Sequence, residues 1–273
     1  MLSKSLKHEF RATSRVMLPI FIALLLLAVV AHFSILLLDA YNLPWFLEII
    51  GVATVALFII SLIAACVGVI VLIVIRFYRS FLSDEGYLNM TLPVNVHTHI
   101  SSRLIVSVIW YTLTAIAVLL CLMVMILDSA GWKGIFMDIG DLFRQISQAG
   151  LTWNVIVLGL EMILSAVIGS ALSSLMLYAA LSVGHSFNRG KKGLSVLFAF
   201  VFSHAIQILS FIVIFALSRK DWSSLTATLE LEPMKVIPFM EGMMGLSILG
   251  VAVLCAVFYF ITHYFLTKKL NLE

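Results

Sequence analysis

An all-α, polytopic membrane protein is predicted, and three observations predict it. Of 273 residues, 62% are apolar and only 11% are charged, against the ~25% expected of a soluble domain. The apolar residues gather in six runs, each long enough for a ~30 Å hydrocarbon core. The basic residues fall mostly on one side of those runs. Seventeen basic and fourteen acidic side chains cannot give a fold of this size a hydrated skin. Disordered, fibrous and disulfide-stapled classes are excluded by the same composition. The predicted architecture is a single transmembrane domain over residues 1–273: six transmembrane helices, an N-terminal interfacial helix and two cytoplasmic termini.

The elements follow in chain order. In residues 1–16, Lys4, Lys7, His8, Arg11 and Arg15 share one third of a helical wheel, while Leu2, Leu6, Phe10, Val16 and Met17 gather opposite. Such a helix lies in the membrane interface with its cations toward the lipid headgroups; Glu9 sits on its apolar side. The first span runs from about Met17 to Leu38. Its length, and the lack of an A-x-A site after Leu38, make it a retained anchor rather than a cleaved signal. The second runs from about Trp45 to Ile75, the third from Leu104 to Leu127, and the fourth from Thr152 to Gly184. The fifth covers about Leu194 to Leu217 and the sixth Met243 to Leu266. The second and fourth exceed the bilayer requirement and must tilt or project into water.

Twelve of the seventeen Lys and Arg flank the spans on one side: before span one, between two and three, between four and five, and after six. The positive-inside rule makes that side cytoplasmic. Most acids, among them Asp39, Asp138, Asp141, Asp221 and Glu230, fall on the other side. Residues 76–103 then form a cytoplasmic loop and 218–241 an extracytoplasmic one.

No catalytic motif is present, so no enzyme is expected in this chain. Gly190-Lys191-Lys192-Gly193-Leu194-Ser195 shares only its composition with a phosphate-binding loop. His97 and His99 are two apart, which points them ~200° away from each other on a helix, and they read as solvated loop residues. Cys66, Cys121 and Cys255 each sit in an apolar run and read as small buried hydrophobes. No metal, no cofactor and no nucleic-acid partner is expected.

The segment Arg76-Phe77-Tyr78-Arg79 through Ser83-Asp84-Glu85-Gly86-Tyr87-Leu88 to Thr91-Leu92-Pro93-Val94 departs from the apolar runs around it. Ser83 is placed to N-cap a short helix, with Asp84 and Glu85 at its positive end. Leu92-Pro93 breaks that helix. A short helix of mixed polarity carried between two spans suits docking, and Tyr87 is of a type favoured at interface hot spots. This segment resembles the one after the second span in bacterial ABC transporter permeases of the ABC-2 type, and the order of elements is similar over the whole chain. The resemblance implies a coupling helix at Ser83, Asp84, Glu85, Gly86, Tyr87 and Leu88 that contacts a separate ABC ATPase subunit. It also implies a second permease half, identical or not, in the bacterial cytoplasmic membrane, and a role as the membrane subunit of an exporter. That family places short re-entrant helices between spans five and six; residues 218–241 have the length, but Glu230, Glu232 and Lys235 oppose deep insertion.

Four polar side chains sit at membrane depth: His32 in span one, Glu161 in span four, and His204 and Gln207 in span five. An intramembrane carboxylate costs ~2.5–3.5 kcal/mol on insertion scales and faces protein or a cavity. A Glu161–histidine pair would suit a proton-coupled secondary carrier, which stands as an alternative, as does a non-transporting immunity or assembly protein. Ser165, Gly169 and Ser173 form a small-residue stripe that lets another helix approach, in this chain or in a second copy.

Overall fold

The computed structural model describes residues 2–40, 44–83, 96–125, 129–148, 150–187, 190–231 and 236–268. Seven helices account for nearly all of them: α1 Leu2–Ala40, α2 Trp45–Phe81, α3 Val96–Met125, α4 Ser129–Gln148, α5 Thr152–Gly184, α6 Lys191–Leu231 and α7 Val236–Lys268. No strand occurs among the described residues. All but α4 are long and apolar enough to cross a membrane. Their apolar side chains point outward along much of their length, as at Ile22, Ile60, Ile163 and Phe211. That surface is stable in lipid, where the backbone of a helix satisfies itself.

Three boundaries differ from the sequence reading. The N-terminal stretch is helical, as expected, but it is continuous with the first span: α1 runs unbroken through Pro19. A proline costs an interior helix one hydrogen bond without obliging it to end. The supposed loop from residue 218 is helical as far as Leu231. The stretch between spans three and four, to which the sequence reading gave no element, contains the amphipathic helix α4.

The chain forms two compact units. One comprises Met1–Ile75 and Ile105–Asp141, the other Arg76–Leu104 and Leu142–Glu273. The first unit closes on small side chains. Ala28 and Ala31 of α1, Ala65 of α2 and Cys121 of α3 are buried together with Leu24 and Phe58. Small residues let helix backbones approach where there is no water to drive them together.

The N-terminal part of α1 belongs to this packing. Trp110 of α3 is buried, stacks on Phe10 at 5.1 Å and 11°, and donates its indole N–H to Thr13 Oγ1 at 2.7 Å. Thr13 passes its own proton to the carbonyl of Glu9. Lys7, Arg11 and Arg15 stay exposed. Phe10, on the face opposite these cations, thus meets α3.

In the second unit α5 packs against both α6 and α7. Asn154 meets Glu241, and the Ile168 carbonyl accepts from Cys255 Sγ at 3.7 Å, so α5 and α7 run parallel. Each crosses from one face to the other, ending where α2 ends and α3 and α6 begin. That shared end carries Arg76, Arg79, Arg103, Lys191, Lys192 and Lys268, and is called here the basic end.

Candidate functional site

The tightest packing of the second unit lies at the basic end. Phe77 and Phe81 are on the last turns of α2, and their rings are 4.9 Å apart. Phe77 lies flat on Tyr178 of α5, at 4.1 Å and 10°. The Arg103 guanidinium of α3 sits over the Phe81 ring at 4.5 Å, a cation–π contact, and its carbonyl accepts from the Tyr178 hydroxyl at 3.4 Å. Phe77, Phe81, Tyr178 and Ile100 are all at most 2% exposed. On α5 the buried face is Ser174, Tyr178 and Ser182, one residue per turn. Both serines bond back to their own helix, so neither leaves an orphan hydroxyl.

Beside this cluster α5 turns into α6. Gly184 is obligatory here: a Cβ on it would run into the backbone and hydroxyl of Ser195. His185 follows, buried, with the Tyr78 ring edge-on at 5.3 Å. Its Nδ1 lies 2.9 Å from the Leu181 carbonyl and 3.1 Å from Ser195 Oγ, while Ser195 donates to the Lys191 carbonyl. The carbonyl requires the proton on Nδ1, and the serine proton is already committed. Ser195 and His185 are therefore a structural latch, without the free base that a nucleophilic pair requires.

Burial pushes the His185 imidazole below the ordinary histidine range; the bond to the Leu181 carbonyl opposes this in part, and the charges of Lys191 and Lys192 add to the lowering. The unfolded chain takes up this proton near pH ~6.5, the folded chain only at lower pH. Stability contributed by neutral His185 is thus full above that range and lost as the pH falls through it. Thermal melts between about pH 7.5 and about pH 5.5 should show a steeper loss for the wild type than for His185→Gln. Equal slopes would remove His185 as the cause.

The first turn of α3 is joined to α7. His97 Nδ1 is 2.8 Å from the Tyr259 hydroxyl, and its ring stacks on that of His263 at 4.0 Å and 13°. The reading of His97 and His99 as loop residues is corrected: both lie in α3, and His97, though exposed, binds its neighbour across 162 residues of sequence. Stacked imidazoles do not converge their nitrogens on one point. Among the described residues no three His, Cys, Asp or Glu could hold a metal ion.

These contacts clamp both ends of the segment singled out in the sequence. Ser83 is at its near edge and donates to the Arg79 carbonyl at 2.6 Å, closing the end of α2. Asp84, Glu85, Gly86, Tyr87 and Leu88 lie outside the described residues.

The residues at membrane depth are not brought together. His32 is buried in the first unit, edge-on to Phe33. His204 is exposed and bonds the Phe200 carbonyl of its own helix, and Gln207 is exposed. Glu161 faces α7: its Oε1 is 3.3 Å from where a Cβ on Gly245 would stand. Its Oε2 is shielded and accepts no hydrogen bond among the described residues. The Glu161–histidine pair that a carrier would use is thus not formed with His204. Glu161→Gln keeps the shape and removes the charge, so it should melt no lower than the wild type. A drop of several degrees would show that the carboxylate holds a contact.

Along the small-residue stripe, Ser165 and Ser173 bond to their own helix. A Cβ on Gly169 would meet no described heavy atom within 4 Å.

No family model, no curated protein and no solved structure matches this chain. Its own composition and helices make it a multi-pass membrane protein. Sequence reasoning missed Tyr178, His185 and the His97–His263 stack, and gave Phe77 and Ser195 no packing partner. The one available signal was the hydroxyl side chains at Ser174, Tyr178 and Ser182, spaced one per turn within an apolar run.

Proposed function

We propose that this chain is the membrane subunit of an ABC-2-type exporter, driven by a separate ATP-binding-cassette ATPase docked on the basic end. One observation carries the reading. The segment that resembles the coupling segment of such permeases, Arg76–Val94, joins two helices whose ends are wedged into the best-packed part of the second unit. A docking loop transmits force only if its roots cannot slip. Phe77 ties one root to α5, Phe81 meets Arg103 of α3, and His97 ties the other root to α7. Close-packed interfaces of this kind move as blocks and do not absorb displacement. Closure of an ATPase pair on ATP would then shift α5 and α7, and with them the route for substrate. The chain supplies no catalysis of its own; ATP hydrolysis belongs to the partner.

The test is affinity purification in mild detergent from the native membrane. A near-stoichiometric ABC ATPase is the expected companion. Its absence, with the chain intact and folded, overturns the reading.

A second half of the permease would lie against α5. The open space beside Gly169 accommodates a larger side chain within one chain, whereas a neighbouring copy would not. Gly169→Leu is therefore expected to leave the melting temperature nearly unchanged while reducing the paired species in native mass spectrometry. Unchanged pairing would remove this stripe from the interface.

A further inference from the structure

The helix α4, Ser129–Gln148, is too polar to span and has no role in the reading above. Trp132, Ile135, Phe136, Ile139, Leu142 and Phe143 recur at three- and four-residue spacing. At ~100° per residue they occupy an arc of ~120°. Lys133, Asp138, Asp141 and Arg144 lie outside that arc. Ile139, Leu142 and Phe143 are exposed, and Ile146, one turn further on, is buried. Where its side chains are described, from Ile139 to Phe143, the apolar stripe is left open.

What covers it follows from where the helix is held. The Tyr178 hydroxyl contacts the Arg103 carbonyl at the basic end. From Arg103, α3 continues 22 residues to Met125, and from Tyr178, α5 runs back 26 residues to Thr152. At ~1.5 Å per residue these are ~33 and ~39 Å, each about the thickness of the hydrocarbon core. Both ends of α4 are therefore tied to the membrane face opposite the basic end. Residues 126–128 lead into it and 149–151 lead out. Tethers of three residues reach only ~10 Å, so α4 cannot leave that surface. Its polar face carries two cations and two anions, which suits zwitterionic headgroups and gives no strong attraction to a charged protein.

We propose that α4 is an interfacial helix whose Ile139–Phe143 face is buried in the lipid of the membrane leaflet opposite the basic end, at the boundary between headgroups and acyl chains. The depth is ~5–10 Å, enough to cover these side chains and leave Asp141 and Arg144 in water.

Spin labels test this in the full chain, reconstituted in phosphatidylcholine vesicles. Cys66, Cys121 and Cys255 are first replaced by Ala, and single cysteines are introduced at Ile139, Leu142, Phe143, Asp138, Asp141 and Arg144. Collisions with oxygen should exceed those with a water-soluble nickel chelate several-fold at the first three positions, and the order should reverse at the last three. Nickel access at every position would place the helix in water and overturn the proposal. Exclusion of both reagents from 142 and 143 would mean a protein cover and would also overturn it. A photoreactive benzoylphenylalanine at Phe143, with all cysteines kept, gives an independent readout. A phospholipid adduct is expected in the mass spectrum; a peptide adduct or none counts against lipid burial.

Discussion

Tyr178→Ala is expected to destabilise the detergent-solubilised protein more than any other single truncation at the basic end. Tyr178 is 2% exposed and lies flat against Phe77 at 4.1 Å. Its removal takes away one ring of the stack and leaves a cavity between α2 and α5. Aromatic-to-alanine changes in packed interiors cost ~3–5 kcal/mol, because neighbours relax only partly into the space. Tyr178→Phe keeps the stack and gives up only the 3.4 Å bond to the Arg103 carbonyl. That long hydrogen bond contributes at most ~1 kcal/mol. Thermal melts of the two variants should therefore be well separated, with Phe close to the wild type. If Ala and Phe melt together, the stack does not hold the basic end.

Tyr87→Ala and Glu85→Lys are expected to release or uncouple the ATPase while the helices stay folded. Under the proposed function, Tyr87 is the aromatic anchor of the coupling segment, and a central aromatic contributes ~2 kcal/mol or more to an interface. Losing 2 kcal/mol weakens docking roughly thirty-fold. Glu85→Lys reverses a charge at the same surface. Asp138→Ala, on the far side of the membrane, should leave docking intact. Co-purified ATPase and its stimulated hydrolysis are measured for each variant. Retention of both by Tyr87→Ala and Glu85→Lys would reduce the segment to a connector. Together with Tyr178→Ala, this pair separates loss of docking from loss of the packing that would carry its motion.

The six spans were legible because crossing a bilayer is an additive property. Some twenty apolar side chains suffice in any packing arrangement, and Ile49–Ile75 carries no charge at all. The helix α4 was equally legible by its three- and four-residue spacing. It was passed over because charges such as Lys133 and Asp141 lower its mean hydropathy, while amphipathicity is a matter of phase. Helix continuity through Pro19 was less accessible. A proline weakens a helix locally, and whether the chain bends away or continues depends on what holds the segment before it. Here Trp110 holds Phe10 and Thr13.

The candidate site divides in the same way. The segment Arg76–Val94 stood out by composition alone, and its residues were named from the sequence. That its roots are wedged by Phe77 on Tyr178 and by His97 on Tyr259 and His263 was decided only in three dimensions. Glu161 shows the converse. Its cost in the membrane is written in the sequence, but its facing Gly245 in place of a histidine is set by the register of α5 against α7. Composition and periodicity determine which segments enter the membrane, because each residue contributes to insertion nearly independently of the rest. Which side chains meet depends on the rotation and register of whole helices. Contacts between residues as far apart as His97 and Tyr259 jointly select that arrangement, and no local stretch of sequence encodes it.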